Sequence, residues 1–160
     1  MAGVICFHKP EEANGWLSNW YLSDFTSGGV TYSSMEQYMM HRKALVFHDA
    51  EAAAEILSIS DVARIKEIGR GVSNYDDRVW NGLRQIIVYN GLSEKFSQNR
   101  ELLEKLLLTG SSLIAECSVS DRIWGIGLSM HDPRRLSIHS WNGQNLLGFA
   151  LMAVRERLRK

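Results

Sequence analysis

Apolar positions recur along this chain mostly at helical spacing. The stretch "SSMEQYMMHRKALVF" predicts a helix, with Ser34 as its N-cap and Gln37 placed three residues on to complete a capping box. "DAEAAAEILS" and "DVARIKEIG" predict two more short helices, the second closed by Gly69. "DRVWNGLRQIIVYNGLSEKF" predicts a longer one. Its apolar stripe of Val79, Leu83, Ile86 or Ile87, and Phe96 is weakened by Gly82 and Gly91. "NRELLEKLLLTG" reads as a helix between an Asn99 cap and a Gly110 stop. In "NLLGFALMAVRERL", Leu147, Leu151, Val154 and Leu158 line one face of a last helix.

Strand signals are few. "DFTSGGVTY" predicts two short strands around a Ser-Gly-Gly turn, and "LIAEC" predicts another. They are too short and too far apart for a doubly wound sheet. The fold class expected is therefore α+β, mostly α-helical, and with no repeat or linker the chain reads as one domain over residues 1–160.

Composition narrows the class. At 45% hydrophobic and 22% charged residues the chain reads as a soluble globular protein. The N-terminal "MAGVICFHKPEE" offers only a four-residue apolar run before its acids, which fits no signal peptide, and no stretch is apolar enough for a membrane span. Cys6 and Cys117 lack zinc-ligand spacing and suggest reduced thiols in a cytoplasmic protein, with one disulfide as the alternative. Net charge is zero, which gives no support to nucleic-acid binding. The distribution is uneven: residues 1–63 carry three Lys/Arg against eight Asp/Glu, and the remainder carries fifteen against ten. Solvated helix faces explain that asymmetry, and so does a basic pocket for a phosphorylated ligand.

Standard catalytic templates fail. "GIGLSM" lacks the third glycine of a dinucleotide fingerprint, "GRGVSN" lacks a P-loop lysine, and the five histidines form no i, i+4 pair, so no metal and no cofactor is expected. What remains is a constellation. Glu36, Met40 and Lys43 share one helical face. Glu36 has a structural explanation in the helix macrodipole. Lys43, followed by the apolar "ALVF", needs a carboxylate or an anion if it faces inward, or it loses its charge. "SDRIWGIG" at residues 120–127 adds Asp121 and Trp124 beside two glycines; an aspartate there also serves as a turn-former. Trp80 supplies a second indole, as core or as platform. Such a set suits cleavage of a bond between ribose and a base nitrogen. A carboxylate stabilises the oxocarbenium-like charge or activates water, indoles stack on the heterocycle, and arginines hold phosphate.

The order of these residues resembles the NADAR family, also called YbiA-like. The matching stretches are "LSNWY", "SMEQY" with "RKA", Gly69-Arg70, Trp80 with Arg84, "KFSQN", "LLLTG", "LIAECSVSD", "IWGIG" and "NGQNLLGFALMAVR". The resemblance spans nearly the whole chain. It implies a small, mostly helical N-glycosidase linked to ADP-ribose and NAD chemistry. One branch of the family hydrolyses phosphoribosylaminopyrimidine intermediates of riboflavin biosynthesis, and another removes ADP-ribose from guanine bases. It places the family's essential glutamate on Glu36, and its tryptophan and aspartate on Trp80, Asp121 and Trp124. Asp121 and Lys43 join Glu36 as catalytic candidates. Trp80, Trp124, Arg70, Arg84, Gly125, Gly127, Asn19 and Asn145 are the substrate-binding candidates. Met39 or Met40 stands where an aromatic is common, Trp20 where phenylalanine is usual, and His41 lies beside the site; these departures bear on substrate identity.

The expected function is hydrolysis of a ribosyl N-glycosidic bond in a small-molecule N-riboside or ADP-ribosyl substrate, away from membranes. Lys43 either holds Glu36 ionised or attacks the ring-opened sugar as an amine. Two alternatives stand beside this: de-ADP-ribosylation of guanine in DNA or RNA, and a non-catalytic ADP-ribose or NAD-binding module. Read alone, the glycines of "SDRIWGIG" serve a sharp turn or a close approach to another strand or to a ligand; the resemblance implies that they form one wall of a pocket and let backbone approach the ligand.

Overall fold

The computed structural model describes residues 3–160; Met1 and Ala2, which begin the N-terminal run weighed above as a signal peptide, lie outside them. Among the described residues there are six α-helices, four short strands and three 3-10 turns, so the α+β, mostly helical class holds. They form two compact units, residues 3–21 with Arg100–Lys160, and Leu22–Asn99.

The Leu22–Asn99 unit begins with an antiparallel hairpin, β2 (Leu22–Ser27) and β3 (Val30–Ser34), turned through Gly28 and Gly29, both at positive φ. Helix α1 (Met35–Val46) follows at once. Ser34 Oγ accepts from the Gln37 N–H at 3.1 Å, as predicted, but the return bond from Gln37 reaches the N–H of Ser33 at 2.7 Å. Helix α1 packs on α2 (Ala50–Leu57), α3 (Val62–Arg70) and α4 (Asp77–Gln98), each opened by an aspartate cap: Asp49, Asp61 and Asp76. Phe25, Tyr32 and Tyr38 form an aromatic cluster with centroids 5.1 to 5.8 Å apart.

Three expectations need correction here. Helix α3 does not close at Gly69 but runs to Arg70, with Gly71 as its C-cap. Gly69 serves close packing instead, since a Cβ there would run into the Met40 side chain. Asn99 closes α4 rather than opening the next helix; its amide donates to Lys95 O at 2.7 Å and to Asp24 O at 3.2 Å. The inward stripe of α4 is also rotated by about one position from that expected. Trp80, Ile87, Val88, Gly91, Leu92, Lys95 and Phe96 are buried, while Val79, Leu83 and Ile86 face solvent. Gly91, a weak point of the stripe by sequence, is where the Tyr38 ring meets the helix.

The other unit is built on a parallel pair, β1 (Val4–Phe7) with β4 (Leu113–Glu116), in the register Val4↔Leu113 to Phe7↔Glu116. Sequence reading missed β1, because four apolar residues without a hairpin partner give no local strand signal. Helices α5 (Arg100–Leu108) and α6 (Leu146–Leu158) complete this unit, α6 lying on β4 with Leu147, Leu151 and Val154 buried. Gly110 follows α5 at φ +62, as a stop residue should. Among the described residues, no helix is long and apolar enough to cross a membrane.

Candidate active site

In the Leu22–Asn99 unit, the first turn of α1 carries Glu36, which is only 4% exposed. Two turns on, Lys43 reaches α3, where Nζ donates to Gly69 O at 2.8 Å. That carbonyl belongs to the last turn of α3, where unsatisfied acceptors and the helix dipole favour a cation. Aromatic rings flank the ammonium: Nζ lies 4.6 Å from the Tyr75 centroid and 5.7 Å from that of Trp80. Burial pushes the Lys43 amine below its ordinary value and the charge of Arg70 adds to this, while Glu36 and Asp77 oppose it. The predicted face therefore exists: Glu36 and Met40 are buried, Met40 abuts Gly69, and Lys43 binds Gly69 O.

Tyr75 and Asp77 escaped the sequence reading. Tyr75 packs edge-on to Phe47 at 5.2 Å, and its phenol pKa is raised by desolvation and by a hydrogen bond with Asp77. The segment carrying it is pinned from α2, since Asp49 caps that helix with Oδ1 and accepts the Ser73 N–H on Oδ2 at 2.8 Å. The one available signal was "SNYDD", a turn-rich run placing an aromatic five residues before Trp80. Arg84 acts on Tyr75 through its charge, and its Nε is buried without a hydrogen-bond partner. Arg70 is exposed at the end of α3. This unit thus gathers Glu36, Lys43, Arg70, Trp80 and Arg84.

The other unit gathers Asp121, Trp124, Gly125, Gly127 and Asn145 at the junction of β4, its following loop and α6. Asp121 Oδ1 accepts from the N–H groups of Ile123 at 2.9 Å and Trp124 at 2.8 Å, the turn-forming role weighed above. The glycines bring backbone against backbone. A Cβ on Gly125 would fall 2.8 Å from Asp121 O and 2.9 Å from Glu116 O; on Gly127, at φ +71, it would meet Asn142 Cβ at 3.1 Å. On the Cβ side of both glycines the close approach is to protein atoms. Loop carbonyls of Gly125, Ile123 and Trp124 also accept the N–H groups of Asn145, Leu146 and Leu147, which closes the start of α6.

Asn145 is fully buried at φ 53, its amide donating to Ile114 O at 2.8 Å and accepting from Glu116 N–H at 3.1 Å. Its side chain is committed to holding β4. Asn19 is buried with Oδ1 unpartnered. Among the described residues, no group of three or more His, Cys, Asp or Glu could hold a metal ion.

Comparison with known proteins shows the family. The NADAR domain model matches residues 6–159. The chain is 44% identical over 125 residues to N-glycosidase R617 of Acanthamoeba polyphaga mimivirus, covering 78% of this chain and 74% of the relative. It is 31% identical over 160 residues to riboflavin biosynthesis protein VVA0006 of Vibrio vulnificus, covering all of this chain but 40% of that protein. It is similar in structure to the NMR structure of Escherichia coli YbiA, with a TM-score of 0.82 and 27% identity over 99% of this chain and 86% of that one. This chain belongs to the NADAR domain family.

Proposed function

We propose that this protein hydrolyses the ribosyl N-glycosidic bond of a phosphoribosylaminopyrimidine, an intermediate type of riboflavin biosynthesis. At the coarser level it is an enzyme, a hydrolase acting on N-glycosyl compounds, as its relatives named N-glycosidases are. The finer reading draws support from the riboflavin biosynthesis relative. A reducing, cytoplasmic setting fits the free thiols of Cys6 and Cys117.

The observation that carries the proposal is the environment of Lys43. A partly desolvated amine with lowered basicity lies between two aromatic rings, on the helix face of a buried carboxylate. A neutral amine is a nucleophile at a pH where an ordinary lysine is not. In the proposed reaction Glu36 stabilises positive charge developing at C1′ and takes a proton from water. Lys43 attacks C1′ of the ring-opened sugar; an imine forms as the aminopyrimidine leaves, and water then hydrolyses it to the free sugar. Trp80 stacks on the heterocycle, while Arg70 and Arg84 hold the phosphate. Asp121 and Trp124 take ribose-orienting and stacking roles on the strength of the family resemblance.

The test is turnover of two substrates, a phosphoribosylaminopyrimidine and an oligonucleotide carrying guanine-linked ADP-ribose. The first is expected to be cleaved, and Glu36→Gln to abolish cleavage. Cleavage of the oligonucleotide alone would move the substrate to modified nucleic acid. Tight ADP-ribose binding with neither substrate cleaved would make the protein a binding module. Borohydride added during turnover is expected to fix the sugar on Lys43 and to fix nothing in Lys43→Met; cleavage without an adduct removes the imine.

A further inference from the structure

An imine on a lysine is open to water only while its nitrogen is protonated. Lys43 is half-buried, and burial works against that proton. What surrounds Nζ therefore decides whether the sugar is released or held.

Two neighbours of Nζ suit a protonated imine. Gly69 O accepts from Nζ at 2.8 Å, in the last turn of α3 where carbonyls lack partners within the helix. An ammonium has three N–H groups and an iminium has one, and this carbonyl gives that one an acceptor. The ring of Tyr75 is the second neighbour. Its centroid lies 4.6 Å from Nζ, nearer than that of Trp80 at 5.7 Å. A π face attracts a cation without taking its proton. The charges acting on Nζ come from three helices: Glu36 on α1 and Asp77 on α4 favour the cation, and Arg70 on α3 opposes it.

The chain holds Tyr75 in this position from several sides. Asn74, just before it, is left-handed at φ 59, a conformation asparagine tolerates better than most residues. Asn74 Nδ2 donates to Phe47 O at 3.5 Å, the Phe47 ring meets Tyr75 edge-on at 5.2 Å, and Asp49 accepts the Ser73 N–H. Phe47 is 6% exposed, as a packing ring should be, but Tyr75 is 42% exposed. Its ring is thus open to solvent next to the reacting nitrogen.

We infer that Tyr75 is a catalytic residue of this site, its ring face stabilising the iminium that Lys43 forms with the sugar while Gly69 O holds the iminium proton. The inference rests on the imine mechanism proposed above. In the step it serves, water oxygen adds to C1′ and the C=N electrons move to nitrogen. One water proton passes through Glu36 to that nitrogen. The C1′–N bond then breaks with its electrons staying on nitrogen, and the hydroxyl proton follows through Glu36 to the amine. Iminium plus water gives aldehyde plus ammonium, so Nζ carries one positive charge at both ends of the step. Both cations lie over the same ring.

The experiment incubates the full-length protein with ribose 5-phosphate, the sugar product of the proposed reaction, and traps the imine with two reductants. Borohydride reduces neutral and protonated imines alike, whereas cyanoborohydride at neutral pH reduces the protonated form. Adducts are located by peptide mass. In the wild type both reductants are expected to fix the sugar on Lys43 to the same extent. Tyr75→Leu should lower the cyanoborohydride-to-borohydride ratio about tenfold, the scale of a partly desolvated cation–π contact. Tyr75→Phe keeps the face and should change the ratio by less than about twofold. Tyr75→Phe carrying one, two and three ring fluorines should lower it stepwise. That series nearly preserves ring shape, so it decides the matter even if Tyr75→Leu does not fold, and a packing role alone would leave it flat. A wild-type adduct on Lys43 with a flat fluorine series would overturn the role of Tyr75 and leave the imine standing. No wild-type adduct with either reductant would remove the imine, and the role of Tyr75 with it.

Discussion

Lys43 Nζ lies over the ring of Tyr75 at 4.6 Å while it donates to Gly69 O at 2.8 Å, so one ammonium ties the end of α3 to the segment preceding α4. The lowered basicity of Lys43 has a consequence for stability. Below its folded pKa both states carry the proton. Between that value and the ordinary 10.5 the unfolded chain binds more protons, so stability rises with pH across this window. Urea unfolding as a function of pH should show this alkaline rise, and Lys43→Met should remove it. A wild type with no such slope would mean that the amine titrates normally.

His41 gives a second pH dependence, at the acid end. Its Nδ1 is 2.8 Å from Tyr32 Oη, and burial followed by the charge of Arg42 lowers its pKa from 6.5. The unfolded chain therefore takes up a proton first as pH falls through about 6.5, and folded-state stability should drop from there to the lowered value. His41→Gln should flatten that limb in a thermal-melt series, and an unchanged limb would assign acid sensitivity to other groups.

Helix α4 contains a matched pair of glycines with opposite expectations. A Cβ on Gly91 collides with the Tyr38 ring, which Phe25 and Tyr32 hold in place, so Gly91→Ala should cost about 1–3 kcal/mol or more. Gly82 has nothing within 4 Å, so Gly82→Ala should gain about 0.5–1 kcal/mol from helix propensity. Chemical denaturation of the two variants measures both, and equal effects would contradict the packing described.

Asn145 holds β4 through Ile114 O and Glu116 N–H while its backbone sits at φ 53. Asn145→Gly keeps the backbone conformation available and deletes both bonds, so its cost isolates the clamp, about 2–4 kcal/mol for two buried groups left unpaired. Hydrogen exchange at Glu116 N–H should quicken. A variant as stable as wild type would show that the bonds contribute nothing.

Most of the helices were legible because each carries its own signals. Ser34, Asp49, Asp61 and Asp76 mark starts locally, and apolar spacing marks length. What was not legible depended on partners distant in sequence. Gly69 reads as a stop until Met40 is seen against it, and Asn99 reads as a cap until its amide is found on Asp24 O. The shared face of Glu36, Met40 and Lys43 follows from helical period alone. Tyr75 could not be placed over Lys43 from sequence, because that contact is set by a turn that Asp49 anchors from another helix. The glycines of "SDRIWGIG" were visible as sites of close approach, but what approaches them, Glu116 O and Asn142, lies outside the motif.

The register of β1 against β4 also dictates an order of assembly. On the ribosome β1 emerges first but has no strand to join until residues 113–116 follow it, after all of Leu22–Asn99 has been made. The inserted unit is continuous in sequence, so its contacts can close during synthesis, whereas the other unit waits for residues 113–116. A translational pause or truncation before β4 would thus leave "VICF" as an unpaired apolar edge, a target for chaperones rather than a step toward the fold.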